Sequence, residues 1–192
     1  HSAVCESLGL PGSRLRVVGT PTGGGFGGKA DVSMHALAVL LARVAGKSTQ
    51  LVWHRPESFV ASTKRHPMIV RARLGARSDG RLIAFQADLV ADAGAYASHS
   101  MIVAWAAGTY FPGPYHIPNL KIDGMSVYTN NPISGACRGY GQPQAVLVLE
   151  SLIAEMAARL GLDPVQFRLM NGLKMGMEPG SPRVRLDYEP TL

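Results

Sequence analysis

Two glycine-rich segments constrain this sequence more than any other feature. The first, TPTGGGFGGKAD over residues 20–31, places five glycines around Phe26 within six positions. The second, SGACRGYGQPQ over residues 134–144, sets one arginine and one tyrosine among three glycines. Because glycine loses more conformational freedom on folding than any other residue, such loops are expected where the backbone must approach another group closely. The alternative is a glycine-rich turn that binds nothing.

The first segment also fits two nucleotide-binding patterns, and both fail at the residue that carries their chemistry. Its glycines match G-x-G-x-x-G as well as G-x-x-x-x-G-K. A phosphate-binding loop needs Ser or Thr after Lys29 to coordinate magnesium, and Ala30 cannot do so. A dinucleotide fold needs an acidic residue about 20 positions farther on, and residues 47–55 contain none. A nucleotide site is therefore the weakest interpretation of this loop.

The composition is that of a globular protein. Hydrophobic residues make up 46% of the 192 residues, and no apolar run approaches the roughly 20 residues that span a bilayer. The two cysteines, Cys5 and Cys137, are too few for a disulfide scaffold, which favours a reducing, cytoplasmic compartment. The net charge of +6 is scattered along the chain, so an anionic ligand or an acidic partner explains it as well as nucleic acid does. We expect neither nucleic acid nor a membrane as a partner.

Local patterns predict a mixed α+β fold, with a mixed sheet and packed helices. The first quarter reads as a strand over 14–19, the glycine loop, a helix over 31–46 capped by Asp31 and Gly46, and a second strand over 49–55. Farther on, the patterns predict a hairpin over 68–94, loop with a short helix over 94–119, a strand over 120–130, and helices over 145–160 and 163–171.

The two loops together resemble a known family. GGGFGGK followed by ACRGYGQPQ is similar to the molybdenum-binding large subunit of the xanthine dehydrogenase and aldehyde oxidase family of molybdenum hydroxylases. The segments that begin with RPESF and PYHIPN also look like that family. The resemblance implies that residues 1–178 are part of a molybdopterin-binding domain, with residues 179–192 as a peripheral tail rich in Pro and Gly.

The resemblance further implies that both loops contact a molybdopterin cofactor, with the metal approached through backbone amides. The amide of Phe26 or Gly27 is expected beside the apical ligand of molybdenum, and the amide of Arg138 is expected to reach the metal centre. The expected cofactor-contacting residues are Gly25, Phe26, Gly27, Gly28, Arg138 and Gly139. A surface arginine between turn residues is the alternative for Arg138.

The same resemblance places three residues at the substrate. Tyr140 matches an aromatic that stacks on a flat substrate, although ordinary packing would also explain it. Ala30 and Ala106 stand where xanthine-oxidising members carry a glutamate and an arginine that contact the purine. We therefore expect a less polar pocket that suits an aldehyde, an aromatic N-heterocycle or an aromatic acyl thioester.

Several parts of such an enzyme are expected outside this chain. In the family the general base is a glutamate far toward the C-terminus of the subunit, so no catalytic residue is expected here, and Glu150 and Glu155 are expected to be structural. Iron–sulfur clusters and FAD belong to partner domains or subunits. Since the chain begins at His1, we expect a fragment or one subunit of a split enzyme. The alternative is a non-catalytic structural or assembly protein that retains the scaffold.

Overall fold

The computed structural model describes residues 1–174 and 183–186, in which a four-stranded mixed sheet is covered by helices. Strand β2 pairs antiparallel with β1 and parallel with β3, and β3 pairs parallel with β4. The order across the sheet is β1-β2-β3-β4. The strands are β1 (Met68–Ala76), β2 (Leu82–Gly94), β3 (Asn119–Tyr128) and β4 (Arg183–Leu186). The predicted α+β class is confirmed.

The helices follow the chain between and after the strands. They are α1 (Ser2–Leu8), α2 (Ser33–Ala45), α3 (Arg55–Ala61), α4 (Ser100–Tyr110), α5 (Gln142–Leu160) and α6 (Pro164–Asn171), with a 3₁₀ turn at Gly12–Arg14. The predictions that correspond to α2, α4, α5 and α6 are confirmed, whereas α1 and α3 had no predicted counterpart. Helix α4 lies in the connection between the parallel strands β2 and β3, as crossover helices do.

Local signals account for the helix ends and for the hairpin. The Asp163 carboxylate accepts hydrogen bonds from the Val165 and Gln166 amides at 3.0 and 2.8 Å, which caps α6 as predicted. Gly46 ends α2 in the left-handed conformation, with φ at 63°. Gly80 makes the turn of the hairpin at φ 90° and donates its amide to the Arg77 carbonyl at 2.9 Å. The predicted hairpin is confirmed.

The core lies between the sheet and helices α4, α5 and α6. Successive side chains of β2 point to opposite faces of the sheet. Those on the face covered by the helices are buried in the core. Phe85 of β2 packs against Phe111 with ring centroids 5.4 Å apart. The larger fully buried side chains are Phe85, Leu89, Phe111, Ile117, Ile122, Leu149, Ile153 and Phe167. Helix α5 therefore has a buried face, which explains its clear helical periodicity in the sequence.

A polar cluster joins α5 and α6 beside this core. The Glu150 carboxylate accepts hydrogen bonds from the Tyr115 hydroxyl at 2.5 Å and from the Arg168 Nε at 2.9 Å. Burial, followed by the hydrogen bond to Glu150, raises the pKa of Tyr115 to about 12. Glu150 is thus a structural residue, as expected.

The predicted strands over 14–19 and 49–55 are wrong. Residues 15–20 and 48–54 form no regular element, and among the described residues neither segment pairs with a strand. The side chains of Val17, Val18 and Val52 are 51%, 67% and 62% exposed. Alternating apolar residues favour an extended backbone, but a strand also needs a neighbour that supplies its hydrogen bonds.

The predicted tail over 179–192 contributes residues 183–186 to the sheet as β4. Its other residues, and the predicted boundary at 178, lie outside the described residues. In the described part of the chain, no helix is both long and apolar enough to cross a membrane.

Candidate functional site

The two glycine-rich loops meet directly, at Gly27. This residue has φ at 101°, and a Cβ atom built on it would lie 2.2 Å from the Ala136 carbonyl oxygen and 2.8 Å from the Cys137 Cα. Atoms that are not bonded to each other do not approach that closely, so only glycine permits this contact between the loops. The two loops therefore lie side by side, as joint contact with one cofactor would require.

The first loop is folded on itself by its own backbone. The Gly28 amide donates to the Gly25 carbonyl at 2.9 Å, and the Ala30 amide donates to the Gly27 carbonyl at 3.0 Å. Between them Phe26 has φ at 52°, which is uncommon for a residue with a side chain, and it is 67% exposed. Strain together with an exposed aromatic ring is the kind of feature that marks functional loops.

The second loop rests on α4 and leads into α5. A Cβ atom at Gly141 would lie 2.6 Å from the Val103 carbonyl oxygen of α4. Gly139 and Gly141 have φ at 90° and 97°, and Tyr140 between them has φ at 49°. The Tyr140 amide closes the turn by donating to the Cys137 carbonyl at 2.8 Å. Helix α4 therefore sets the position of this loop.

Arg138 links the two loops through its side chain. Its guanidinium carbon lies 5.4 Å from the centroid of the Phe26 ring, a cation–π contact. Its carbonyl oxygen accepts a hydrogen bond from the Arg65 Nη2 at 2.6 Å, which holds the backbone of the loop. Arg138 is exposed, but its contacts are those of a bridging residue rather than of an isolated surface arginine.

The residues at this junction fit an anionic cofactor. Among the described residues, the backbone amides of Phe26 and Arg138 donate no hydrogen bond, so they are free for a ligand. Amides presented by turns rich in positive φ favour anionic oxygen atoms. Gly25, Gly28 and Gly139 are exposed and add no side chain, while Arg138 adds a positive charge. We call the surface formed by the two loops the cofactor-contacting wall. Molybdopterin, whose phosphate is anionic, is compatible with this wall.

Of the three predicted substrate residues, Ala30 and Tyr140 lie on the two loops, and Ala106 lies on α4. Tyr140 is half-buried, and burial raises the pKa of its hydroxyl. Ala30 is exposed at the end of the first loop. Ala106 is on α4 and is only 6% exposed, so it offers little surface to a ligand.

The structure adds three neighbouring residues whose place at this site the sequence did not indicate. His99 packs edge-on against Tyr140, with ring centroids 6.2 Å apart and an interplanar angle of 65°. Ser98, with φ at 39°, places its Oγ 3.5 Å from a carboxylate oxygen of Asp31. Asp31 was predicted only as a helix cap, but the residue that directly precedes α2 is Val32. The sequence pattern that could have indicated this place is a histidine flanked by two serines, Ser98-His99-Ser100, at the start of α4.

Behind the second loop lies a buried histidine, His66, which is 3% exposed. Its Nε2 is 2.7 Å from the Ser100 Oγ, and its carbonyl accepts a hydrogen bond from the Gln144 Nε2 at 3.1 Å. Burial lowers the pKa of His66 to about 4, against the opposing charge of Asp92. A neutral His66 therefore ties the start of β1 to α4 and to the beginning of α5.

Comparison with known proteins agrees with this geometry. A family model described as the molybdopterin cofactor-binding domain matches residues 1–172. The nicotinate dehydrogenase large molybdopterin subunit of Eubacterium barkeri is 43% identical over 173 residues, which cover 90% of this chain and 41% of that protein. The xanthine dehydrogenase molybdenum-binding subunit of Escherichia coli O157:H7 is 36% identical over 174 residues, which cover 90% of this chain and 23% of that protein.

Solved structures show the same relationship. The aldehyde oxidoreductase from Desulfovibrio gigas superposes with a TM-score of 0.83 at 29% identity, over 92% of this chain and 19% of that one. The quinoline 2-oxidoreductase from Pseudomonas putida 86 gives 0.82 at 28% identity, over 95% of this chain and 24% of that one. The chain thus spans between 19% and 41% of the length of these relatives. The family-model match and the identities show that this chain belongs to the molybdopterin cofactor-binding domain family, the domain found in xanthine dehydrogenase and aldehyde oxidoreductase subunits.

Proposed function

We propose that this chain supplies the cofactor-contacting wall of the active site in a larger molybdopterin-dependent hydroxylase. The observation that carries the proposal is the contact of Gly27 with Ala136 and Cys137, which brings the two glycine loops together with free backbone amides. The names of the relatives, which include nicotinate dehydrogenase, aldehyde oxidoreductase and quinoline 2-oxidoreductase, support oxidation of an aldehyde or an aromatic N-heterocycle.

Each part of the wall has a distinct task in this proposal. When bound, molybdopterin supplies the metal centre that oxidises the substrate carbon. Gly25, Gly27, Gly28 and Gly139 keep the approach free of side chains, and the amides of Phe26 and Arg138 would donate hydrogen bonds to the bound cofactor. The Arg138 guanidinium, held over the Phe26 ring, places a positive charge beside the anionic cofactor.

The substrate is positioned by the second loop and its neighbours. The half-buried Tyr140 ring offers a flat surface for an aromatic substrate, and its backbone is held by the hydrogen bond to Cys137. No residue of this chain is proposed as the general base, which belongs to the remainder of the large subunit. Iron–sulfur and flavin components complete the enzyme as partners, and the low cysteine content favours the cytoplasm.

The test is the metal content and activity of the complete enzyme, expressed with the remainder of its large subunit and its partners. We expect molybdenum to copurify with it, and an aromatic aldehyde or N-heterocycle to be oxidised. An active complex that contains no molybdenum would contradict the proposal, as would a molybdenum-loaded complex that oxidises neither class of substrate.

A further inference from the structure

Two alanines are predicted at the substrate, where xanthine-oxidising members carry a glutamate and an arginine. The site therefore lacks those two charged side chains. Ala30 and Ala106 carry no polar group, yet the structure places other polar side chains next to both loops. His99 is the residue before α4, it is half-buried, and its ring contacts the Tyr140 ring edge-on. An imidazole therefore stands at the edge of the surface on which a flat substrate would stack.

The His99 ring is held by a short polar chain that reaches the first loop. Its Nδ1 is 3.4 Å from the Ser98 Oγ, and the Ser98 hydroxyl donates to the Asp31 Oδ2 at 3.5 Å. The other oxygen of the Asp31 carboxylate accepts the Ser33 amide at 2.9 Å, which fixes its orientation. Asp31 directly follows Ala30, so the chain connects the end of the first loop to Tyr140 in the second.

Two backbone features keep Ser98 in this position. Its φ of 39° is unusual for serine, so the surrounding structure must compensate for the strain. A Cβ atom at Gly135 would lie 2.9 Å from the Ser98 Oγ, so the second loop leaves room for the hydroxyl by having no side chain there. The arrangement is therefore built by residues from the first loop, the start of α4 and the second loop.

The contacts of the Ser98 hydroxyl, at 3.4 and 3.5 Å, favour the His99 tautomer in which Nε2 is the free ring nitrogen. When the Ser98 hydroxyl donates to Asp31, its oxygen is left to accept from an Nδ1–H of His99. In the neutral ring Nε2 then carries a lone pair, and within residues 1–174 and 183–186 it has no hydrogen-bond partner. A group fixed at one nitrogen and free at the other is suited to accept a hydrogen bond from a ligand.

We propose that His99 is a substrate-contacting residue, whose Nε2 accepts a hydrogen bond from a ring N–H group of an N-heterocycle stacked on Tyr140. The inference rests on the proposed function and adds a substrate preference to it. A lactam-type heterocycle with a ring N–H satisfies His99, whereas an aldehyde without a ring nitrogen leaves it unpaired. His99 thus supplies the polarity that Ala30 and Ala106 do not.

The test compares 4-quinazolinone, which has a ring N–H, with benzaldehyde, which has none, as substrates of the complete enzyme. We expect His99→Leu to raise the KM for 4-quinazolinone about tenfold, the size of one lost hydrogen bond, with kcat changed less than about threefold. Benzaldehyde kinetics should change less than about threefold. His99→Gln, which retains an acceptor, should recover part of the loss. The matched control is His116→Leu, at an exposed histidine on the connection before β3. It should leave KM and kcat unchanged for both substrates.

Molybdenum content is measured for every variant, so that loss of cofactor is separated from loss of contact. If His99→Leu contains no molybdenum, the comparison of the two substrates is made with His99→Gln, which should then show a smaller shift in the same direction. Equal effects of the His99 variants on both substrates, or no effect on 4-quinazolinone, would overturn the inference. A loaded wild-type enzyme that oxidises neither substrate would instead overturn the proposed function.

Discussion

At the scale of single residues, Gly27 is a position where the structure leaves no room for a side chain. In Gly27→Ala the new methyl group would overlap the Ala136 carbonyl, and φ at 101° would also be strained, so we expect the loops to separate. Gly46→Ala is the control, because Gly46 has φ at 63° but no atom lies within 4 Å of the position its methyl group would take. Its cost should be only the left-handed conformation, about 1 kcal/mol.

The measurement for this pair is molybdenum bound per complete enzyme, together with activity. Gly27→Ala should lose most of both, while Gly46→Ala should retain them. Equal cofactor content in the two variants would show that the contact between the loops is not needed for binding.

Ala30 is expected to influence which substrate the complete enzyme prefers. A pocket without polar partners makes no hydrogen bonds to a polar substrate and discriminates against it by only about 10² in kcat/KM, so the complete enzyme should modestly disfavour xanthine. We expect kcat/KM for xanthine to be lower than for an aromatic aldehyde and for an N-heterocycle. Ala30→Glu should raise xanthine turnover relative to the aldehyde, because it restores an acidic partner at the exposed end of the first loop. Xanthine as the preferred substrate of the wild type would refute this assignment.

His66 makes stability depend on pH. Burial lowers its pKa from 6.5 to about 4, so between these values the unfolded chain binds more protons than the folded one. Stability is therefore fully present above pH 6.5 and is lost as the pH falls toward 4, by about 3 kcal/mol. Asp92 remains charged in this window: burial raises its pKa, but hydrogen bonds from Thr129, Asn131 and the Gly94 amide, together with the nearby His66, lower it below the usual value.

Urea unfolding of the dilute chain at several pH values measures this effect. His66→Gln should be less stable at neutral pH and should show a shallower fall in stability between pH 6.5 and 4. An identical slope in the variant would assign the acid sensitivity to another group.

At the scale of elements, the helices differ in how much they bury. Helix α5 buries Ala145, Leu149, Ile153 and Ala157, whereas α2 buries no residue and exposes Leu37, Leu40, Leu41 and Val44. Since packing supplies most helix stability, we expect amides of α2 to exchange with solvent much faster than those of α5 in the isolated chain. In the complete enzyme α2 should become protected, because we expect the remainder of the subunit to pack on it. Equal protection of α2 and α5 in the isolated chain would contradict the prediction.

Local signals, rather than burial, separate the elements that could be predicted from those that could not. Helices α5 and α6 and the hairpin have apolar periodicity together with end signals, such as Asp163 followed by Pro164, and these are local. The segments over 14–19 and 49–55 have a strand-like pattern but find no strand to pair with in the described part of the chain. Pairing is a property of two segments, so a single pattern does not decide it.

At the scale of the whole molecule, exposed large apolar side chains occur along the whole described chain and are somewhat more frequent in its first third. Val18, Val44, Phe59 and Val60 are among the most exposed of them. Such surfaces normally contact another protein surface, so the isolated chain should associate with itself and bind a hydrophobic dye. Sedimentation at increasing concentration measures the association. A monodisperse monomer at high concentration without dye binding would contradict it, and coexpression with the remaining subunit should suppress it.

The α+β class, the two glycine-rich loops and the family could be predicted from the sequence, because glycine content, periodicity and motifs are properties of short segments. The predicted roles of Gly25, Phe26, Arg138 and Tyr140 at the cofactor and substrate stay predictions until a ligand is observed. Other contacts could be seen only once the chain was folded: Gly27 touches Ala136, Arg138 lies over Phe26, and Asp31, Ser98 and His99 connect the first loop to Tyr140. These contacts join residues far apart in the chain, and their geometry depends on how α4 and the sheet pack together, which no local pattern encodes.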